Sequence, residues 1–146
     1  MHRISTSIDI TATAEQIWAV LMDFSAYPAW NPFVRNVSGS TTPGSKLRVT
    51  IQPPERQSAT FEPQVIICNP GHELRWRGTV LMRGIFDGEH SFRLSEQAGG
   101  RCTFTNEESF SGLLVPFIMG KAIRSATRSG FEAMNQALKR QVERGV

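Results

Sequence analysis

Several features that would narrow the function are scarce in these 146 residues. The two cysteines, Cys68 and Cys102, stand alone without a CxxC pair or a histidine cluster. A disulfide framework or a zinc site is therefore not expected, and we interpret both thiols as small buried hydrophobic groups. No apolar run reaches the roughly 18 residues of a membrane span, so none is predicted. The segment MHRISTSIDITATAEQ lacks the apolar region of a secretory signal, which predicts a cytoplasmic location.

Clustered positive charge is also missing, although the formal net charge is +3. The basic residues are scattered, and those near the carboxyl terminus recur at the spacing of a solvated helix face. No cluster of Lys and Arg is interleaved with aromatic residues, so nucleic-acid binding is not expected. The sequence has no phosphate-binding GxxxxGK[ST] loop, no nucleophile elbow and no set of metal-ligand residues, and we predict no metal and no cofactor.

Alternating apolar residues predict a chain that is mainly β-structure between two helical regions. ISTSIDI is typical of a strand, and TAEQIWAVLMDF of a helix that begins with a capping box of Thr13 and Gln16. Apolar positions at intervals of three or four predict a long helix over 113–143, in which Gly130 permits close approach to the sheet. Six strands are predicted between these helices: FVRNVSGS, SKLRVTIQP, SATFEPQVIICN, HELRWRGTV, GIFDGEHSFRLS and GRCTFTNEESF. Five short breaks rich in Pro and Gly separate the strands: TTPGS, PPERQ, NPG, LMRG and EQAGG. Strands joined by such short connections are expected to be antiparallel neighbours.

This order predicts a single α+β domain over residues 1–146, with a seven-stranded curved antiparallel sheet wrapped around a long carboxyl-terminal helix. Two short helices would lie between strands 1 and 2. The sheet has one face to bury, and the last helix is long enough to cover it without closing all the space between them. The stiff segment AYPAWNPFV, residues 26–34, would end that space, with Trp30 and Phe33 as a wall.

Four stretches resemble the SRPBCC or START-like superfamily: VLMDFSAYPAWNPFVRNVSG, PGSKLRV, FDGEHSFRL and FSGLLVPF…GFEAMNQALK. They are similar in particular to its polyketide cyclase/dehydrase and lipid-transport branch, and the resemblance covers the whole chain. It implies the helix-grip fold, with a deep and mostly apolar cavity between sheet and helix. Because the superfamily includes lipid carriers, metabolite binders, aromatase/cyclases and chaperone-activating domains, the resemblance does not fix an activity.

Strand parity predicts a small polar group on the inner face of the sheet. If EQAGG is a hairpin turn, His90 lies near Asn106, with Glu108 opposite or diagonal to it. Burial without a partner costs about 2–7 kcal/mol for such a group, so these side chains bind one another, a ligand or water. Three interpretations stay open: a structural hydrogen bond, contacts that orient a ligand, and a general acid/base pair of His90 and Glu108. No nucleophile, metal set or cofactor loop accompanies the pair, which disfavours the third.

We predict that the cavity binds a small lipophilic molecule, with His90, Asn106 and Glu108 as its polar contacts. Two alternatives stay open: a cyclase/dehydratase-type enzyme that uses the same cavity, and a stress or chaperone-assisting module that acts through its surface. The apolar segment GLLVPF would form a cavity entrance or a dimer patch, and the chain would be a monomer or a weak homodimer. The other predicted ligand-binding residues are aromatic or flexible apolar side chains: Trp30, Phe33, Phe61, Trp76, Phe86, Phe92, Phe104, Phe110, Met119, Ile123, Phe131 and Met134.

Overall fold

The computed structural model describes residues 1–80 and 82–145. Leu81, the first residue of the predicted LMRG turn, and Val146 lie outside the described residues. The described residues form eight strands and four α-helices: β1 (His2–Ile10), α1 (Ala14–Met22), α2 (Tyr27–Trp30), β2 (Val34–Gly39), β3 (Leu47–Ile51), β4 (Ala59–Phe61), β5 (Gln64–Asn69), β6 (Glu73–Val80), β7 (Phe86–Gln97), β8 (Arg101–Ser111), α3 (Val115–Ile118) and α4 (Lys121–Arg144).

The first helix begins at the predicted capping box. The Thr13 hydroxyl accepts the Gln16 backbone N–H at 3.1 Å, and the Gln16 side chain accepts the Thr13 N–H at 2.9 Å. Both donors belong to the group of helix N–H that lack an intrahelical partner, so the pair stabilises this terminus. Helix α1 buries Ile17 and Leu21. A short 3-10 turn and α2 then lead to β2, held by the Tyr27 hydroxyl, which donates to the Leu21 carbonyl at 2.7 Å.

The prediction of one seven-stranded sheet is wrong in the number of strands and in the way they are divided between sheets. The described residues form a five-stranded antiparallel sheet, in the order β1-β8-β7-β6-β5, and a three-stranded sheet, in the order β2-β3-β4. The predicted strand 58–69 is divided at Pro63, which has no N–H to donate to a ladder. Strand β4 therefore pairs with β3, whereas β5 pairs with β6. A bridge between Lys46 and Gln64 links the sheets where they separate.

The predicted helix over 113–143 is likewise interrupted. Helix α3 ends at Ile118, Met119 leaves helical geometry with ψ of 61°, and α4 begins after an extended Gly120. Helix α4 then packs mainly on β1, with further contacts to β8, α1 and α2. The close approach predicted for Gly130 is made to Phe33, which precedes β2: an added Cβ would lie 2.6 Å from the Phe33 Cε1 atom.

The two cysteines are free thiols in different surroundings. Cys102 is fully buried on β8, and this burial raises the pKa of its thiol. Cys68 is only half-buried, so the interpretation as a buried hydrophobic group describes Cys102 fully and Cys68 in part.

Candidate functional site

A cavity of about 370 Å³ lies between the two sheets and the helices α3 and α4. This volume falls in the ordinary range of about 300–1,000 Å³ for small-molecule sites. The lining is mainly apolar: Phe33, Val34, Ile51, Pro53, Phe61, Glu62, Trp76, Gly78, Thr79, Val80, Phe86, Gly88, His90, Glu108, Phe110, Ile118, Met119, Ile123 and Thr127.

Two glycines on adjacent strands leave room for this cavity. Gly78 of β6 pairs with Gly88 of β7, and Gly88 pairs with Phe110 of β8. These positions lie on the inner face, where a side chain would project into the cavity. A Cβ built on Gly78 meets the Phe61 ring at an ordinary contact distance of 3.6 Å, so a side chain could begin there without a clash.

The next cross-strand row carries the ionisable groups. Trp76, His90 and Glu108 are directly paired on β6, β7 and β8, in the register that the predicted EQAGG hairpin requires. The His90 ring stacks on Trp76 with centroids 5.2 Å apart, and meets the edges of Phe92 at 4.8 Å and Phe131 at 5.1 Å. Aromatic rings therefore hold the imidazole on three sides and fix its orientation.

Both ring nitrogens of His90 have polar partners. Nδ1 lies 3.2 Å from Glu108 Oε1, and Nε2 lies 2.7 Å from Asn106 Oδ1. His90 and Asn106 are almost fully buried, whereas the Glu108 side chain keeps 22% of its surface exposed. Both His90 and Glu108 line the cavity, and the carboxylate is the more exposed of the two.

A chain of hydrogen bonds continues from Asn106 into the core. The Asn106 amide donates to Asn135 Oδ1 at 3.1 Å, Asn135 donates to the Thr6 hydroxyl at 2.8 Å, and Thr6 donates to the Asn106 carbonyl at 3.2 Å. The closed loop commits the Asn106 amide nitrogen as a donor, so its Oδ1 must accept. His90 therefore donates from Nε2 to Asn106.

This direction has a consequence at the other nitrogen of His90. A hydrogen bond between Nδ1 and Glu108 Oε1 would need a proton on one of these two atoms, because two acceptors cannot form a hydrogen bond. An imidazole and a carboxylate in contact at the cavity wall are suited to orient a polar ligand group or to exchange a proton with it.

The second carboxylate oxygen of Glu108 lies over Gly88. A Cβ built there would come 2.5 Å from Glu108 Oε2, closer than real side chains approach. Glycine at position 88 thus leaves the space that the Glu108 carboxylate occupies.

The segment 82–85 lies between the lining residues Val80 and Phe86, on an exposed side of the cavity that we call its mouth. Asp87 holds this segment by accepting from the Gly84 N–H at 2.9 Å and from the Thr79 hydroxyl at 2.9 Å. These hydrogen bonds, the Gly84 bond first, keep the pKa of Asp87 below its ordinary value of 3.8 although burial opposes them.

The predicted ligand-binding residues fall into two groups. Phe92, Phe104, Asn106, Phe131 and Met134 are fully buried and lie outside the lining, where they support it as core. Trp30 also lies outside the lining and packs on Tyr27 with ring centroids 5.2 Å apart, so it is no part of the wall predicted for residues 26–34. The structure places the remaining nine on the cavity surface: Phe33, Phe61, Trp76, Phe86, His90, Glu108, Phe110, Met119 and Ile123.

Two polar residues of the site, Thr6 and Asn135, were missed by reasoning from sequence. Thr6 shares the inner face of β1 with Ile4, Ile8 and Ile10, a parity that was visible in the alternation. Asn135 lies in the buried stripe of α4, where a polar side chain among apolar ones indicates a hydrogen-bond partner. The identity of that partner depends on how the helix packs, which the local pattern does not contain.

A second depression, larger at about 580 Å³, lies at the α1 end of the five-stranded sheet. Its lining includes Glu15, Trp18, His72 and Glu96, and it is open to solvent. The Glu96 carboxylate accepts from the Ala14 N–H at 3.3 Å, which gives it a structural role. We therefore regard the smaller, more apolar cavity as the candidate site.

Residues 1–80 and 82–145 contain no cluster of three or more His, Cys, Asp or Glu side chains arranged to hold a metal ion. In the same part of the chain, no helix has the length and apolar character needed to cross a bilayer.

Comparison with solved structures defines the class of fold. A START superfamily protein from Mycobacterium smegmatis is 21% identical, with a TM-score of 0.75 and all of both chains covered. The Zhui aromatase/cyclase from Streptomyces sp. R1128 is 15% identical, with a TM-score of 0.77, over 98% of this chain and 94% of that one. The di-domain ARO/CYC protein BexL from the BE-7585A biosynthetic pathway is 16% identical, with a TM-score of 0.71, over 97% of this chain and 50% of that one. At these identities the similarity establishes the START-like helix-grip fold.

The family follows from the sequence. Residues 1–143 match the profile of the polyketide cyclase/dehydrase and lipid transport family, and the chain belongs to that family. No protein of curated function matches this sequence.

Proposed function

We propose that this protein binds or carries a small lipophilic molecule in the cavity, with one polar group of the ligand held by Glu108. The observation that carries the proposal is the contrast within the lining: a mainly apolar surface of about 370 Å³ with a reachable carboxylate backed by a buried His90. An apolar ligand gains about 25 cal/mol per Å² of surface removed from water. A carboxylate oxygen accepts a hydrogen bond, so Glu108 selects a hydroxyl or another donor group of the ligand and thereby its orientation.

The family supports the same function, since its description includes lipid transport. The proposed contacts of the ligand are the nine sequence-predicted residues that lie in the cavity lining, with Asn106 acting indirectly by contacting His90. Phe33, Phe61 and Phe110 would supply aromatic walls, and Met119 an adaptable one.

A cavity-filling variant tests this proposal. In Gly78→Leu the new side chain begins at an ordinary distance from Phe61 and extends into the open space. Loss of about 55 Å² of apolar contact, at 25 cal/mol per Å², weakens binding about tenfold. We expect this loss in fluorescence titrations with the lipophilic probe N-phenyl-1-naphthylamine.

The matched control is Gly145→Leu, at the exposed end of α4, where a Cβ meets only ordinary contacts of 3.7 Å or more. This variant should bind the probe like the wild type. Equal probe affinity in Gly78→Leu and wild type, with both proteins folded, would show that the probe binds elsewhere and that the cavity is not the site.

The hydrogen-bonded pair of His90 and Glu108 favours a second function, that of a cyclase/dehydratase-type enzyme. Such an enzyme would fold a polyketide-like chain in the cavity and move a proton through this pair. The two functions differ in the behaviour of His90→Gln and Glu108→Gln. A carrier should change only its affinity, whereas an enzyme should keep binding its substrate and lose turnover. Undiminished turnover of an identified substrate by both variants and by the double variant would exclude the catalytic pair.

A further inference from the structure

Large apolar side chains protrude around the mouth of the cavity. Met82 is 63% exposed, Leu113 is 74% exposed and Phe117 is 83% exposed. We call these three residues the mouth patch. They come from two segments that are joined by backbone hydrogen bonds, including one from the Leu113 N–H to the Gly84 carbonyl at 3.0 Å. The neighbouring Ile118 lines the cavity, so the patch is continuous with its apolar lining.

The charged residues of the helical segment that carries part of this patch are all basic. Residues 112–131 contain Lys121, Arg124 and Arg128 and no Asp or Glu, and all three basic side chains are exposed. They line one groove together with His2 and Arg3.

The acidic groups near the mouth are few and partly engaged. Arg83 adds a positive charge in the segment 82–86. Asp87 is turned inward onto Gly84 and Thr79, and Glu108 contacts His90 in the cavity wall. Glu62 lies in the lining beside the end of β4. The second half of α4, by contrast, mixes both signs.

Protruding apolar residues beside a basic surface fit an anionic bilayer. Apolar side chains lower their free energy by entering the interface between headgroups and acyl chains, and each nearby Lys or Arg adds attraction to anionic lipid. A second copy is a poor occupant, since a two-fold interface through this patch would bring Lys121 and Arg124 toward the same residues of the other copy. A folded acidic partner would need a matching concave surface, which a bilayer does not, because lipids adapt to single protruding side chains.

We propose that the protein docks on anionic membranes through the mouth patch, with Lys121, Arg124 and Arg128 on the headgroups and the cavity facing the bilayer. This orientation would let an apolar molecule pass between bilayer and cavity without crossing water. The docking is independent of what the cavity holds, because it can be measured without any ligand.

Sedimentation of the full-length protein with sucrose-loaded vesicles tests the docking. We expect binding to phosphatidylcholine vesicles containing about one third phosphatidylglycerol, little binding to phosphatidylcholine alone, and weakening by salt. Each basic residue contributes about fivefold to the affinity for anionic vesicles. Lys121→Gln/Arg124→Gln, which removes two of them, should therefore weaken binding about 25-fold. Leu113→Ser/Phe117→Ser should weaken it at least about tenfold.

The matched control is Arg140→Gln/Arg144→Gln, which removes two exposed charges from the far end of the same helix. It should bind vesicles within about twofold of the wild type. All substituted side chains are exposed, so the variants should fold, which circular dichroism can verify.

Three results would overturn the proposal. The first is absence of wild-type binding to the anionic vesicles, including the case in which an acidic protein binds the patch instead. The second is unchanged binding by Leu113→Ser/Phe117→Ser, or an equal loss in the control. The third is a stable dimer in light scattering that Phe117→Ser dissociates, since the patch would then be covered by a second copy.

Discussion

The hydrogen-bonded chain behind the cavity gives a prediction with a definite size. In Asn106→Leu, the Nε2–H of His90 and Oδ1 of Asn135 lose their partners at sites that are only 4% and 2% exposed. Two orphaned buried groups cost about 2–6 kcal/mol, and burial of the leucine offsets about 1.5–3 kcal/mol of this. We therefore expect a loss of about 2 kcal/mol in the free energy of unfolding, or a fall of about 4–8 °C in Tm.

Urea unfolding followed by tryptophan fluorescence measures this loss, because Trp76 stacks on His90 and reports on this region. Asn36→Leu, on the exposed side of β2, is the matched control and should change stability by less than about 0.5 kcal/mol. The double variant Asn106→Leu/Asn135→Leu should lose less than the sum of the two single variants, by about 1–2 kcal/mol. A loss below about 0.5 kcal/mol in Asn106→Leu, or strict additivity in the double variant, would refute the hydrogen-bonded chain.

Two further predictions concern the wall and the mouth of the cavity. Gly130→Ala gains about 1 kcal/mol of helix propensity but drives a Cβ into the Phe33 ring, at a cost of about 1–3 kcal/mol. Urea unfolding should show a net destabilisation of about 1 kcal/mol, and a more stable variant would contradict the packing. Asp87 has a lowered pKa, so its contribution to stability is present above its ordinary value of 3.8 and is lost as the pH falls through its lower folded-state pKa. The unfolding free energies of wild type and Asp87→Asn should accordingly differ at pH 7 and converge in acid, whereas a difference independent of pH would argue against the bonds to Gly84 and Thr79.

Much of the site was predictable because it lies on one hairpin. The short turn between β7 and β8 fixes the register, and strand parity then places His90 opposite Glu108 and beside Asn106. The capping box of α1 was predictable for the same reason, since it depends on residues three apart.

The features that could not be predicted depend on packing between distant segments. Alternation continues across Pro63, so the sequence alone does not reveal that β4 and β5 belong to different sheets. The apolar spacing also continues across Gly120, where the structure ends one helix and begins another. The position of Trp30 in a stiff apolar segment predicts a place in the cavity wall, but in the structure the helical turn of α2 packs its ring on Tyr27.

Native mass spectrometry of gently purified protein, before and after incubation with a mixture of lipophilic compounds, tests the central claim most directly. The proposed function predicts a bound lipophilic adduct of defined mass in the wild type and in Gly145→Leu, and its loss in Gly78→Leu, whose side chain fills the cavity. Extraction and identification of the adduct would then name the class of ligand. An adduct retained at equal occupancy in Gly78→Leu, or a wild type that stays unliganded throughout the loading series, would contradict the claim.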